Sequence, residues 1–547
     1  MAAAENPLVS IDVTAAPLDT RGIVLEHAAN ELVFAVVGHV GCGTSEVAKT
    51  LRDSLLDSAL QGGPFEVHIV KARQVIQEWA IEQDKNVPNN DDRSLAATQQ
   101  FQNLGDDMRA VITKAGDHDL SSVARRLALK IREVRAQSQG GSVAVNEAVL
   151  PNGKRRAYIL DSLRHPAEVE LLRHVYQHAF VLVGVVCEEK KRIERLRKKY
   201  PDAGETSLSG FMKRDAKAGK PYGQLVSDTF HLSDYFVDNS TDRVLEHGVA
   251  NEDWDTNEKL ARLIKIVTHS EIVRPEMPET AMHHAYGAMM QSACLSRQVG
   301  AALVDKAGNV IATGTNEVPK GGGGVYGESF EANAPDDRCG LRHPDGRRFC
   351  SNTRQQNQII ENLLDSIPEL QGLPAERKKE LKSEMRKGRI GELIEFSRAV
   401  HAEMDALLSA AREGISLIGT RLFVTTFPCH YCARHLVTSG VDEVQFVEPY
   451  LKSQALELHD DAIQITMKDP DTGQLWSPPS AGGRKVLFRP FSGVAPRLFA
   501  RAFLKDRELK DKESGSMKIA SPKWGTPWHL RRASYVELEA ALTRIES

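Results

Sequence analysis

The stretch TTFPCHYCARHL, residues 425–436, sets Cys429 and Cys432 three positions apart directly behind Pro428, and 24 residues separate HAE at 401–403 from that proline. Few other features restrict the folding of this chain so tightly. The segment FSRAVHAEMDALLSAAREG has helical apolar spacing and RLFVTTF reads as a strand, so helix, turn and strand must return the second motif to the first. Cys429 and Cys432 fall on one turn at a helix start, where their sulfurs converge and the positive helix end favours thiolates. His401, Cys429 and Cys432 thus supply three nitrogen and sulfur donors, the number a catalytic Zn2+ takes while leaving one position to water. Glu403, two residues from the histidine, is spared from coordination and placed to carry protons.

The order H-x-E followed by P-C-x-x-C is the signature of zinc-dependent nucleobase deaminases. A redox pair or half of a zinc ribbon are the alternatives for C-x-x-C, but a ribbon needs a second, similar pair that is absent here. His430 and His435 flank the cysteines and are expected to line the pocket or lie on the surface. Seven cysteines in 547 residues, mostly isolated, do not form a disulfide framework, so a reducing cytoplasm is the expected setting. The first residues lack a basic start and an apolar run, and no stretch approaches the length that crosses a bilayer, so neither a secretory signal nor a membrane span is expected. A net charge of -4 provides no overall basic field for nucleic acid polymers.

A chain of 547 residues exceeds one core and implies several domains. In ELVFAVVGHVGCGTSEVAKTL an apolar strand passes through glycines into a helix, the order of a P-loop, whose amides and helix start cradle phosphate oxygens. Gly38, Gly41 and Gly43 form the loop and Ser45 stands at the metal-binding hydroxyl, but Thr44 replaces the usual lysine. The loss weakens phosphoryl transfer more than nucleotide binding, since the amide cradle needs no lysine. The runs FEVHIV, AYILDSL, AFVLVGVVC and DYFVDN alternate with helical segments, as in a doubly wound parallel sheet. Asp161, closing YILD, stands where a magnesium-holding acid belongs, or else caps the next helix. The basic run EEKKRIERLRKKY, residues 188–200, reads as a solvated helix face or a lid over phosphates.

Residues 30–260, including DSLRHPAEVELL, resemble a P-loop nucleotide kinase domain, which implies ATP, GTP or another nucleotide with Mg2+ as its ligand. Residues 270–500 resemble the cytidine deaminase fold, an α/β/α domain, and more closely its deoxycytidylate branch, through SACLSRQVGAALVDKAGNVIATGTNEVP and the two metal motifs. That resemblance implies a phosphate contact for Arg297, a sugar contact for Asn316, a place beside the nucleotide for Tyr450, and further phosphate contact for Lys452. The joined arrangement, from about residue 30 to about 500, resembles the bacterial anti-phage dCTP deaminases. It implies conversion of dCTP and dCMP to uracil nucleotides, depletion of dCTP during phage infection, a homo-oligomer, and an inhibitory small RNA as a candidate partner.

An insertion at about 320–397 departs from the family pattern. Its glycine-rich start and charged helical end suit a substrate flap, and Cys339, His343 and Cys350 are weighed as ligands of a second metal. Residues 501–547 form a tail with Trp524 and Trp528 among lysines and arginines, suited to RNA, a partner subunit or simple surface packing. Two further functions are weighed: a polynucleotide deaminase, disfavoured by the acidic balance, and a nucleotide-gated scaffold with a structural zinc.

Overall fold

The computed structural model describes residues 30–57, 60, 63–89, 92–145, 147–245, 248–268, 270–295, 297–327, 350–449, 453–468, 473–504 and 510–515. It is a mixed α/β protein of two compact units: Met1–Ser233 with Asn239–Val273 and Lys505–Ser547, and Asp234–Asp238 with Arg274–Leu504.

In the first unit β1 (Glu31–Val37), β2 (Glu66–Lys71), β3 (Arg156–Asp161) and β4 (Phe180–Val186) run parallel in the order β4-β1-β3-β2. Strands β1, β3 and β4 are buried along their whole length, which explains why they read as continuous apolar runs rather than as an alternation. Among the helices are α1 (Thr44–Leu55), α2 (Ala72–Glu82), α3 (Leu95–Ala110), α4 (Ser122–Ser138), α5 (Pro166–Tyr176), α6 (Glu189–Lys199), α7 (Glu205–Ala216), α8 (Val226–Phe230) and α9 (Thr256–Thr268). Buried charges in this unit are paired: Arg135 meets Glu31 at 2.9 Å, and Arg109 meets Glu168 at 2.8 Å.

In the second unit β5 (Tyr235–Asp238) pairs antiparallel with β12 (Gly493–Val494). Its main sheet has the order β7-β6-β8-β9-β11-β10, with β6 (Gly300–Val304), β7 (Val310–Thr315), β8 (Arg421–Thr426), β9 (Glu443–Glu448), β10 (Ile463–Gln464) and β11 (Val486–Pro490). Strand β6 is antiparallel to β7 and β8, and the β8, β9, β11 and β10 neighbours are parallel. The helices are α10 (Met277–Gln291), α11 (Ser351–Ser366), α12 (Pro368–Gln371), α13 (Ala375–Lys387), α14 (Ala402–Arg412), α15 (His430–Ser439), α16 (Ala455–Leu458) and α17 (Pro496–Phe503).

Two glycines let helices lie directly on this sheet. A Cβ on Gly300 would sit 2.0 Å from the Ala285 carbonyl oxygen of α10, and one on Gly314 would sit 2.2 Å from the Ala402 carbonyl oxygen of α14. Gly314 pairs with Ala301, the neighbour of Gly300, so the two helices cover opposite faces and the unit is an α/β/α layer. Asp405 of α14, also buried, accepts a 3.0 Å bond from the Thr315 amide and fixes the helix along β7.

Candidate metal centre and nucleotide pocket

His401 is the N-cap of α14, and Cys429 the N-cap of α15, which follows β8 across the Pro428 turn. Strand β8 therefore delivers Cys429 to the open end of α14, and the helical turn of α15 adds Cys432. His401 Nδ1 lies 3.3 Å from Cys429 Sγ and 3.4 Å from Cys432 Sγ. The three donor atoms all lie within 4.8 Å of one another, and they form the one His/Cys/Asp/Glu group of this kind among the described residues. One nitrogen and two sulfurs converging at this distance fit Zn2+, which favours this donor set over hard cations that seek oxygen. His430 and His435 stay out of the group, and His435 is exposed.

Charge coupling within the cluster is strong. The hydrogen bond with Cys432 and the neighbouring His401 draw the Cys429 thiol down to about 4, while Cys432 rises well above its usual range. Burial works against charging the His401 ring, yet the Cys429 hydrogen bond and Glu403 lift it to about 9. Burial pushes the Glu403 carboxyl up to about 7, and the Cys429 charge adds to the rise. Glu403 is 3% exposed and is a carboxyl poised to hold or release a proton near neutrality.

A cavity of about 350 Å³ opens over the cluster and is lined by His401, Cys429 and Glu403 together with Arg297 and Asn316. Arg297 donates to Glu448 at 2.7 Å, so the guanidinium is both paired and turned to the cavity edge. Asn316 donates its Nδ2 to the Arg297 carbonyl at 2.7 Å. Tyr450 and Lys452 lie outside the described residues, as do Cys339 and His343; Cys350 is described and caps α11. The insertion contributes Asn352, Ile394 and Ser397 to the lining, and Cys294, Val299, Thr426 and Phe427 complete it. Asn352, Ile394 and Ser397 belong to no motif, whereas Cys294 and Thr426 lie within stretches already singled out in the sequence. For the three from the insertion the one sequence-level signal is position: 352 and 394–397 flank the charged helices of the insertion.

In the first unit Gly38, Gly41, Gly43, Thr44, Ser45 and Asp161 meet between β1, α1 and the end of β3. Gly41 and Gly43 have positive φ of 86° and 83°, which glycine adopts without strain. Ser45 Oγ donates to Asp161 Oδ2 at 2.8 Å, and Thr44 Oγ1 lies 3.1 Å from Ser162 Oγ. Helix α5 takes His165, not Asp161, as its N-cap, so the capping alternative for Asp161 fails. The basic run of α6 is not a wholly solvated face. Arg192 donates to the Val40 carbonyl at 3.0 Å, and Arg195 reaches the Cys42 carbonyl at 3.4 Å. Buried Asp215 accepts the Val40 amide at 2.8 Å and pairs with Arg164, two contacts that the motif did not announce. No described helix is long and apolar enough to cross a membrane.

Residues 275–448 match the family described as the cytidine and deoxycytidylate deaminase zinc-binding region. Deoxycytidylate deaminase of Enterobacteria phage T2 is 30% identical over 177 residues, covering 32% of this chain and 81% of that protein. Its counterpart in Enterobacteria phage T4 is 28% identical over 182 residues, covering 32% of this chain and 79% of that protein. Among solved structures, dCMP deaminase of cyanophage S-TIM5 in apo form is 18% identical, over 40% of this chain and all of that one, with a TM-score of 0.21.

Proposed function

The chain belongs to the cytidine and deoxycytidylate deaminase family, and from that premise we propose that it hydrolyses deoxycytidine nucleotides, dCTP and dCMP, to the uracil nucleotides and ammonia. One observation carries the reading: Glu403 and two of the three clustered donors, His401 and Cys429, line one cavity together with Arg297 and Asn316, and Cys432 completes the donor group behind them. His401, Cys429 and Cys432 would hold Zn2+, which would supply an acidified water as the nucleophile. The Glu403 carboxylate takes one proton from the attacking water and passes it to ring N3 as the water oxygen bonds to C4; it then takes the second proton from that oxygen and gives it to the amino group, so the C–N bond breaks, ammonia leaves and the oxygen becomes the 4-carbonyl. Burial of this carboxyl favours its protonated form relative to an exposed glutamate, which suits it to hand a proton on as well as to take one. Arg297 offers charge to the phosphates, and Asn316, Tyr450 and Lys452 complete the nucleotide contacts.

The first domain, residues 30–260, binds a nucleotide with Mg2+ through Gly38, Gly41, Gly43, Thr44, Ser45 and Asp161 and regulates the deaminase domain, residues 270–500. The Ser45 to Asp161 hydrogen bond supports this, because a hydroxyl and a carboxylate 2.8 Å apart suit one hard cation. Likeness of the joined arrangement to the anti-phage dCTP deaminases supports the remaining roles: draining dCTP in antiviral defence, homo-oligomer assembly, and restraint by a small RNA in the cytoplasm.

Purified protein incubated with dCTP, dCMP, CTP and a single-stranded oligonucleotide tests the assignment. Uracil products from the free deoxynucleotides alone are expected. Turnover of the oligonucleotide instead makes this a polynucleotide deaminase, and no uracil from any substrate leaves a zinc-containing scaffold.

A further inference from the structure

Asn352 belongs to the insertion, yet it lines the cavity that holds His401 and Glu403. Its Nδ2 donates to the Leu393 carbonyl at 2.7 Å. That bond settles which end of the amide faces which way, because the flipped side chain would set two oxygens against each other. Oδ1 is consequently buried and meets no hydrogen-bond donor among the described residues. Asn316 repeats the pattern on the same cavity: its Nδ2 is held by the Arg297 carbonyl and its Oδ1 is buried without a donor. Buried acceptors are almost always satisfied, and leaving one bare is unfavourable, so two such oxygens on residues that line one cavity point to a ligand that brings donors.

Phosphate groups that are fully ionised bring none. A deoxycytidine nucleotide carries two kinds, the 3′-hydroxyl and the 4-amino group. We propose that Asn352 is a substrate-reading residue whose Oδ1 accepts a hydrogen bond from one of these nucleoside donors. The insertion is then part of the binding site, and this role rests on the deaminase reading of the same cavity.

Gln356, one helical turn along α11, supplies a control. It donates to the same Leu393 carbonyl at 2.8 Å and is absent from the cavity lining. Asn352→Leu therefore removes the reading oxygen while Gln356 still holds the 393 loop, and Gln356→Leu loosens the loop while leaving the oxygen. With dCMP as substrate, Asn352→Leu is expected to raise KM about tenfold with zinc content retained, and Gln356→Leu to stay close to wild type. 2′,3′-Dideoxy-CMP then identifies the donor. If the hydroxyl is read, its penalty in wild type vanishes in Asn352→Leu; if the amine is read, the penalty persists in both. Wild-type KM in Asn352→Leu, or the same defect in Gln356→Leu, overturns the proposal. Calorimetric binding of dCMP to Glu403→Gln protein, with and without Asn352→Leu, separates it from the deaminase reading. Weaker binding in the double variant sustains the role of Asn352 even if wild type turns over no cytosine nucleotide, and equal binding, or none to either protein, refutes it.

Discussion

Gly314→Ala tests whether close approach of α14 to β7 is what assembles the metal centre. The added Cβ would lie 2.2 Å from the Ala402 carbonyl oxygen, 2.3 Å from the Ala406 nitrogen and 3.0 Å from the Ala406 Cα. All three are backbone atoms of α14, so no side chain can rotate out of the way. Ordinary contact begins near 3.4 Å, and the helix must retreat by about 1.2 Å or the strand must bend. His401 precedes Ala402 and Glu403 follows it, so the retreat carries both away from Cys429 and Cys432. Metal-ligand distances tolerate only about 0.2 Å. Overpacking of this kind costs about 1–3 kcal/mol, a fall of several degrees in Tm for a unit of this size. We expect zinc per chain, measured by elemental analysis, to drop well below wild type, and dCMP turnover to fall about 100-fold. Gly287→Ala in α10, whose Cβ meets nothing within 4 Å, is the matched control and is expected to be neutral or slightly stabilising. Gly314→Ala with wild-type zinc content and turnover would falsify the close-packing argument.

Three further outcomes concern separate residues. Glu403→Gln should keep its zinc while losing about 10²–10⁴ in kcat, and undiminished turnover would remove the proton role assigned to that carboxyl. Ser45→Ala and Asp161→Asn should each weaken Mg2+-dependent nucleotide binding about tenfold or more in a fluorescent-nucleotide titration, without creating or abolishing kinase activity; unchanged affinity dismisses the cation site. Burial, then the Arg192 and Arg164 charges, hold the His39 ring at about 3 against 6.5 when unfolded. Between those values the unfolded chain binds the extra proton, so His39 contributes stability that is present above pH 6.5 and lost as pH falls toward 3. From pH 7 to pH 5 the loss is about 2 kcal/mol, which His39→Gln should abolish in urea unfolding at the two pH values; an equal pH slope in both proteins refutes it.

The metal donors were legible in the chain because their chemistry is local. Histidine two residues before glutamate at a helix start, and two cysteines on one helical turn, each narrow the possible geometry within a few residues. Continuous apolar runs likewise announced the buried parallel strands, and glycines flanked by strand and helix announced the loop at 38–43. Tertiary structure alone decided who shares the cavity. Asn352 is an ordinary polar residue in CSNTRQ, and its free oxygen exists only because the Leu393 carbonyl, 41 positions away, takes the other end of its amide. Asp215 shows the same dependence, reaching the Val40 amide across 175 positions. Side chains that act through long-range hydrogen bonds leave no periodicity or spacing in the chain, since the partner that gives them meaning is set by packing.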